Sequence, residues 1–148
     1  MADAIVIRSI QLPIQGFDTL MGEARADHIA FLDRMDAEWQ AGKTRFSHEG
    51  EVLFGAFVED QLVGVCGLNI DPYLNNPRVG RLRHLYVGRT WRSKGVGGAL
   101  VEAILGHAKS HFAIVRLRTD EELRGAFYAS FGFRPINDPN ATHQLRFG

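Results

Sequence analysis

Apolar positions recur along the chain with two periods, 2 and about 3.6, and the switches between them mark its elements. Residues 4–10, AIVIRSI, are rich in β-branched side chains and predict a strand. Residues 16–41 read as two helices broken near residues 26–28, the second carrying Ile29, Leu32, Met35 and Trp39 on one face, with Gly42 as its stop. Residues 51–58 and 61–70 predict two strands joined at Glu59, Asp60 and Gln61. Val52, Phe54, Ala56 and Val58 form one apolar face, and Leu53 and Phe57 leave the opposite face apolar too. A strand apolar on both sides belongs to a sheet covered on both sides. Prolines and asparagines mark residues 71–77 as a loop, and residues 79–87, VGRLRHLYV, as the next strand. Val96, Leu100, Ile104 and Ala108 line one face of a helix over residues 95–112, followed by a strand at 113–119. Thr119 and Glu122 have the spacing of a capping box and open a helix through Phe131, ended by Gly132. The last strands fall near residues 133–136 and 142–147, around a turn at residues 137–140. This order predicts an α/β (α+β) fold. A mixed central sheet of about 6–7 strands has helices on both faces, in one domain over residues 1–148 without internal repeats.

Length and composition narrow the function. A chain of 148 residues, 45% hydrophobic and 23% charged, buries a core without disulfides or metal staples. No apolar run reaches the length of a membrane span. The N-terminal segment lacks the basic and apolar regions of a secretory signal, so a cytoplasmic location is expected. Cys66, the single cysteine, sits among apolar residues and reads as core. The six histidines show no His-x-x-His or His-Glu-x-x-His spacing, and no metal is assigned.

Charge adds a contrast. The 17 basic and 17 acidic residues cancel, which argues against a general nucleic-acid binder. Residues 1–71 nevertheless carry 5 basic and 12 acidic side chains, and residues 72–148 carry 12 basic and 5 acidic. Six basic residues (Arg78, Arg81, Arg83, Arg89, Arg92, Lys94) fall in one stretch, and no acid occurs between Asp71 and Glu102. Such a run suggests a localised anion site, or charges paired with the acidic half.

The centre of that run is a strand ending Leu85, Tyr86, Val87, a basic loop, and a turn with Gly95, Gly97 and Gly98 that opens a helix. Unpaired N–H groups at a helix N-terminus bind phosphates, and glycines let the backbone approach them. A P-loop needs Lys and Ser or Thr after the turn, and a dinucleotide fingerprint needs glycine where Leu100 stands, so neither fits.

Arg92, Gly95 and Gly97 after a Leu-Tyr-Val strand resemble the pyrophosphate loop of the GNAT superfamily of acetyl-CoA-dependent N-acyltransferases. Phe127, Tyr128, Phe131, Gly132 and Phe133 resemble its second signature, one helix and one strand further on. The resemblance implies a GNAT-like sheet and acetyl-CoA as co-substrate. Leu85, Tyr86 and Val87 would bond the pantetheine arm through their backbone. The loop Arg92, Ser93, Lys94, Gly95, Val96, Gly97 and Gly98 would cradle the pyrophosphate. Tyr128 would be the general acid that protonates the departing thiolate. It also implies a small-molecule amine as partner, not nucleic acid or membrane, and allows a homodimer. Glu121 and Arg124 depart from the asparagine and alanine of many relatives.

On the strand at 79–87, relatives often place a Glu or His as general base. Alternation puts Arg81 and Arg83 there, on the same side as Leu85 and Val87. Arginine cannot be a base but suits bidentate carboxylate binding, so Arg81 and Arg83 are expected to hold a carboxylate of the acceptor unless they pair with acids of the first half. Arg116, Arg118 or His143 would add to that site, and Phe31, Trp39 and the loop at 72–77 would shape the pocket. The base is unassigned: His84 should face the opposite side unless a bulge re-aims it, and His143, Glu51 and Asp71 have only their chemistry in their favour. The competing reading is a non-catalytic acyl-CoA-binding sensor of the same fold.

Overall fold

The computed structural model describes residues 4–120 and 122–148. Its strands form a single sheet in the order β1-β2-β3-β4-β5-β7-β6. These are β1 (Val6–Ser9), β2 (Val52–Val58), β3 (Gln61–Ile70), β4 (Val79–Val87), β5 (Ile114–Leu117), β6 (Arg134–Asp138) and β7 (Ala141–Arg146). Every neighbouring pair is antiparallel except β4 and β5. The helices are α1 (Phe17–Ala26), α2 (Phe31–Gln40), α3 (Val96–Ala108) and α4 (Glu122–Ala129). The break between α1 and α2 comes at residues 27–30, so Ile29 precedes the helix instead of joining its stripe. The side chain of Glu122, on which the capping box depends, lies outside the described residues, as does Glu121.

The two apolar faces of β2 account for two cores. Val52, Ala56 and Val58 pack with Val96, Leu100, Ile104 and Ala108 of α3. Leu53 and Phe57 pack with Phe17, Leu20 and Ala24 of α1 and with Leu32 and Met35 of α2. Glu59 and Asp60, both at positive φ, turn β2 tightly into β3.

Two irregularities of β4 position everything that follows. First, β4 pairs with β5 only through Val79 with Ile114, Gly80 with Val115 and Arg81 with Arg116. Beyond Arg81 the two strands part. Second, the β3–β4 ladder skips: Gly67 pairs with Arg83 and Val65 with Tyr86, so His84 and Leu85 together oppose Cys66. His84 takes φ +64°, and the bulge reverses which side each later residue faces. Leu82 belongs to the α3 core, whereas Tyr86 belongs to the α1–α2 core and Leu85 and Val87 pack against the α3 core. The expectation that Arg81 and Arg83 share a face with Leu85 and Val87 is therefore corrected. Simple alternation fails at one left-handed residue.

At the fork, Arg81 and Arg116 are register partners of like charge. Asp71, whose side chain is fully buried, lies 3.5 Å from Arg81 and 3.8 Å from Arg116. Arg116 also approaches Asp138 at 2.8 Å, and Arg81 donates to the carbonyl of Asn140 at 2.8 Å. Asp71 further accepts the backbone N–H of Tyr73 at 2.8 Å, which folds back the loop after β3. Removing one partner of a buried ion pair leaves uncompensated charge. Asp71→Asn is expected to destabilise the fold by about 3 kcal/mol in urea unfolding, far more than an exposed carboxylate would.

Candidate active site

The parting of β4 from β5 opens two adjoining cavities. A slot of about 180 Å³ lies against Leu85, Tyr86, Val87, Arg92, Phe127 and Tyr128. A cleft of about 570 Å³ opens beside it, reaching Phe31 of α2, Tyr73, the first half of β4 and Arg118. Leu85, Arg124 and Tyr128 line both. Tyr128, near the end of α4, thus stands where the two cavities meet. Its ring packs edge-on to Phe127 and Phe133, which explains why aromatic residues flank it in sequence. Burial, and then the neighbouring Cys66, push the Tyr128 hydroxyl above its ordinary value, with Arg124 opposing. The hydroxyl therefore keeps its proton at neutral pH.

After β4 comes a short 3-10 turn, Arg89–Trp91, and then the glycine turn. Ser93 at φ +62° and Gly95 at φ +89° turn the chain into α3, whose first N–H groups have no partner within the helix. A Cβ on Gly95 would meet nothing within 4 Å. On Gly97 it would lie 3.7 Å from Phe127 and 3.8 Å from Val87, both walls of the slot. Backbone amides and bare glycines beside a narrow slot suit an anion with an extended chain attached. Val96 is buried and anchors the turn, while Lys94 lies over the Trp91 ring at 5.3 Å.

The arginines divide differently from the sequence expectation. Arg89 and Arg92 both engage Asp27, just after α1, the latter at 3.1 Å. Arg92 also donates to the Val87 carbonyl at 3.0 Å, and the Tyr86 hydroxyl donates to Asp27 at 3.2 Å. Glu23 accepts the Arg89 backbone N–H at 3.2 Å. These side chains thus fasten the loop to α1, and the charges of Arg89 and Arg92 are met by Asp27. Nothing in the sequence marks Asp27, which lies 59 to 65 positions from these partners.

In the cleft, Arg81 is committed to Asp71 and Asn140, and its guanidinium also lies 4.9 Å from the Tyr73 ring centre. Arg83 is half-buried in the wall and makes no ion pair among the described residues. Among the described residues Arg34, Arg81, Arg83, Arg118 and Arg124 line the cleft with the acids Glu38 and Asp120, so the described lining favours an anionic group. Of the other residues considered, Arg116 is buried in the ion-pair network. Glu51 accepts from the Asn69 side chain at 3.2 Å and the Ile70 N–H at 2.9 Å, and His143 and Trp39 do not line the cleft. Cys66 is fully buried, and its thiol is pushed far up by burial, so it is core and no nucleophile.

The model of the Acetyltransferase (GNAT) family matches residues 17–133. A candidate acetyltransferase from Exiguobacterium sp. 255-15 superposes with a TM-score of 0.83 at 24% identity, over 97% of this chain and 93% of its own. The GNAT family N-acetyltransferase YhbS from Escherichia coli, solved with CoA, gives 0.72 at 20% identity over 99% and 83%. The PaiA N-acetyltransferase from Thermoplasma acidophilum, solved with coenzyme A, gives 0.69 at 21% identity over 97% and 99%. The chain belongs to the GNAT acetyltransferase family, and its seven-stranded mixed sheet with four helices has that family's fold. No helix among the described residues is long and apolar enough to cross a membrane.

Asp27 gives a prediction with a defined sign. Its hydrogen bonds to Arg89 and Arg92 hold the carboxyl down to about 2. A depressed carboxyl stabilises above its unfolded value, and that contribution is lost as pH falls from roughly 4 through its folded value. Amide hydrogen exchange in residues 89–97 is expected to speed up in Asp27→Asn at pH 7. In the wild-type protein the same loosening appears only below about pH 4.

Proposed function

We propose that this protein transfers an acetyl group from acetyl-CoA directly to the primary amine of a small acceptor carrying a carboxylate. The position of Tyr128 at the meeting point of slot and cleft carries this reading. Bound acetyl-CoA supplies the activated thioester. Backbone groups of Leu85, Tyr86 and Val87 hold its extended arm, replacing the partner strand that β4 loses beyond Arg81. The amides of the loop from Arg92 through Ser93, Lys94, Gly95 and Val96 to Gly97 and Gly98 hold the pyrophosphate. Arg83 takes the acceptor carboxylate in the cleft, and Arg81 stiffens the wall from its pairing with Asp71.

The amine enters uncharged, having lost its ammonium proton to solvent. As its nitrogen bonds the acetyl carbon, the carbon–sulfur bond breaks. The Tyr128 hydroxyl gives its proton to the departing sulfur, and the surplus proton on the new amide nitrogen returns to the tyrosinate through solvent. The raised Tyr128 remains an acid throughout the neutral range. The reading assigns residues 1–148 to one domain, places it in the cytoplasm, and requires neither metal nor nucleic acid. A homodimer is compatible with it.

A thiol-release assay with acetyl-CoA against primary amines, amino acids and the corresponding amino-acid amides tests this. Free amino acids are expected to be better acceptors than their amides, and Arg83→Gln to erase that preference. Tyr128→Phe should lower kcat roughly 10²–10⁴-fold with acetyl-CoA affinity retained. Gly97→Val should abolish acetyl-CoA binding in calorimetry while leaving the fold intact, because its new side chain enters the slot. Failure of the wild-type protein to bind acetyl-CoA would refute the reading. Binding without turnover on the whole panel would establish a sensor instead.

A further inference from the structure

The far end of α3 carries two histidines that acetyl transfer does not use. His107 lies in the last turn of the helix, and His111 follows four positions later. Lys109 donates to the Leu105 carbonyl at 3.0 Å and Phe112 to that of Ala108 at 2.8 Å, so helical spacing persists through this stretch. Residues four apart on a helix share a face. The two imidazole rings accordingly stand together, with centres 4.8 Å apart and planes inclined by 32°. Both residues are half-buried and within reach of solvent ions. The loop before β2 is pressed against them: a Cβ on Gly50 would come within 2.9 Å of the His111 Cβ. The Gly50 carbonyl lies 3.1 Å from Nε2 of His107. A carbonyl oxygen only accepts, so Nε2 of His107 carries the hydrogen. Burial, and then the adjoining His111 ring, lower the basicity of His107, which leaves its Nδ1 with a free lone pair at neutral pH. No hydrogen bond or ion pair engages the His111 ring among the described residues.

We propose that His107 and His111 together bind a divalent transition-metal ion of the zinc, nickel or copper class, His107 through Nδ1 and His111 through a ring nitrogen. Imidazole is the side chain that suits these ions. An imidazole nitrogen holds such an ion at about 2.0–2.1 Å, which puts the ring centre about 3.2 Å from the metal. Two rings subtending about 90–109° at the metal then have centres about 4.5–5.2 Å apart. The observed 4.8 Å falls inside that interval. The bond from Nε2 of His107 to the Gly50 carbonyl is the contact that metal-ligating histidines ordinarily make with their second nitrogen, and it fixes both tautomer and ring orientation. Among the described residues no third His, Cys, Asp or Glu joins the pair, so water completes the coordination and the affinity is moderate. Eleven positions of helix separate Val96 of the glycine turn from His107, about 16 Å at the helical rise, so the ion sits away from the acetyl-CoA site. Its role is to clamp the end of α3 to the loop before β2, and it stands independently of the acyltransferase reading.

Calorimetric titration of the full chain with Zn²⁺ and with Cu²⁺, in a non-coordinating buffer near neutral pH, tests the site. Copper is expected to bind more tightly than zinc. The electron paramagnetic resonance spectrum of the copper complex should show coupling to two imidazole nitrogens. His111→Ala leaves the bond between His107 and Gly50 in place and should weaken both ions at least about tenfold. His107→Gln keeps an N–H for the Gly50 carbonyl while removing the imidazole, and should weaken them equally. Saturating Zn²⁺ should raise Tm of the wild type and leave that of His111→Ala unchanged, because only a bound native state is stabilised. The acetyl-CoA dissociation constant should stay within about twofold in both variants, with or without a chelator, which separates this site from the coenzyme's. Equal metal affinity in the wild type and His111→Ala overturns the proposal. So does a copper spectrum without the two-nitrogen coupling, or a Zn²⁺-induced rise in Tm that survives in His111→Ala.

Discussion

The site depends on β4 and β5 holding together for three residue pairs and then separating. A parallel ladder satisfies backbone groups evenly along its length, so a central strand that loses its neighbour exposes a row of donors and acceptors inside the sheet. The separation begins at Arg81 and Arg116, two cations placed side by side by the register. Buried Asp71, with Asp138 and the Asn140 carbonyl, makes that juxtaposition tolerable and closes the sheet below the fork. Above it, the slot and the cleft occupy the space that a continuing β5 would fill.

Much of this architecture was legible in the residues. The double-sided apolar pattern of β2 announced two cores, and the stripe from Val96 to Ala108 announced the helix on one of them. The glycine turn and the aromatic cluster around Tyr128 are local features, and both lie where a short stretch of chain fixes its own shape. The remainder depends on partners far apart in sequence or on a single dihedral angle. One residue at positive φ reversed the facing of the second half of β4, and no composition rule distinguishes His84 from an ordinary strand histidine. Asp27 looks like any acidic residue at a helix end, and its three partners are brought to it only by the folded sheet.

The neutral overall charge also has a structural explanation. Links between the acidic first half and the basic second half include Asp71 with Arg81 and Asp27 with Arg89 and Arg92. These pairs neutralise arginines that would otherwise suggest a broad polyanion surface. Of the arginines that remain, Arg83 lines the cleft without a counter-ion among the described residues. The basic stretch of the sequence is therefore divided by folding into charges that build the site and charges that face its contents.

The knot at Asp27 bears on how the two ends of the site communicate. It binds the glycine-turn loop to the end of α1, and Arg25 of that helix bonds Asp33 of α2 at 2.7 Å. The second helix in turn supplies Phe31, Arg34 and Glu38 to the wall of the cleft. An unbroken set of contacts thus runs from the glycine turn to the wall of the cleft. The slot and the cleft rest on a common frame of three ion pairs and two short helices.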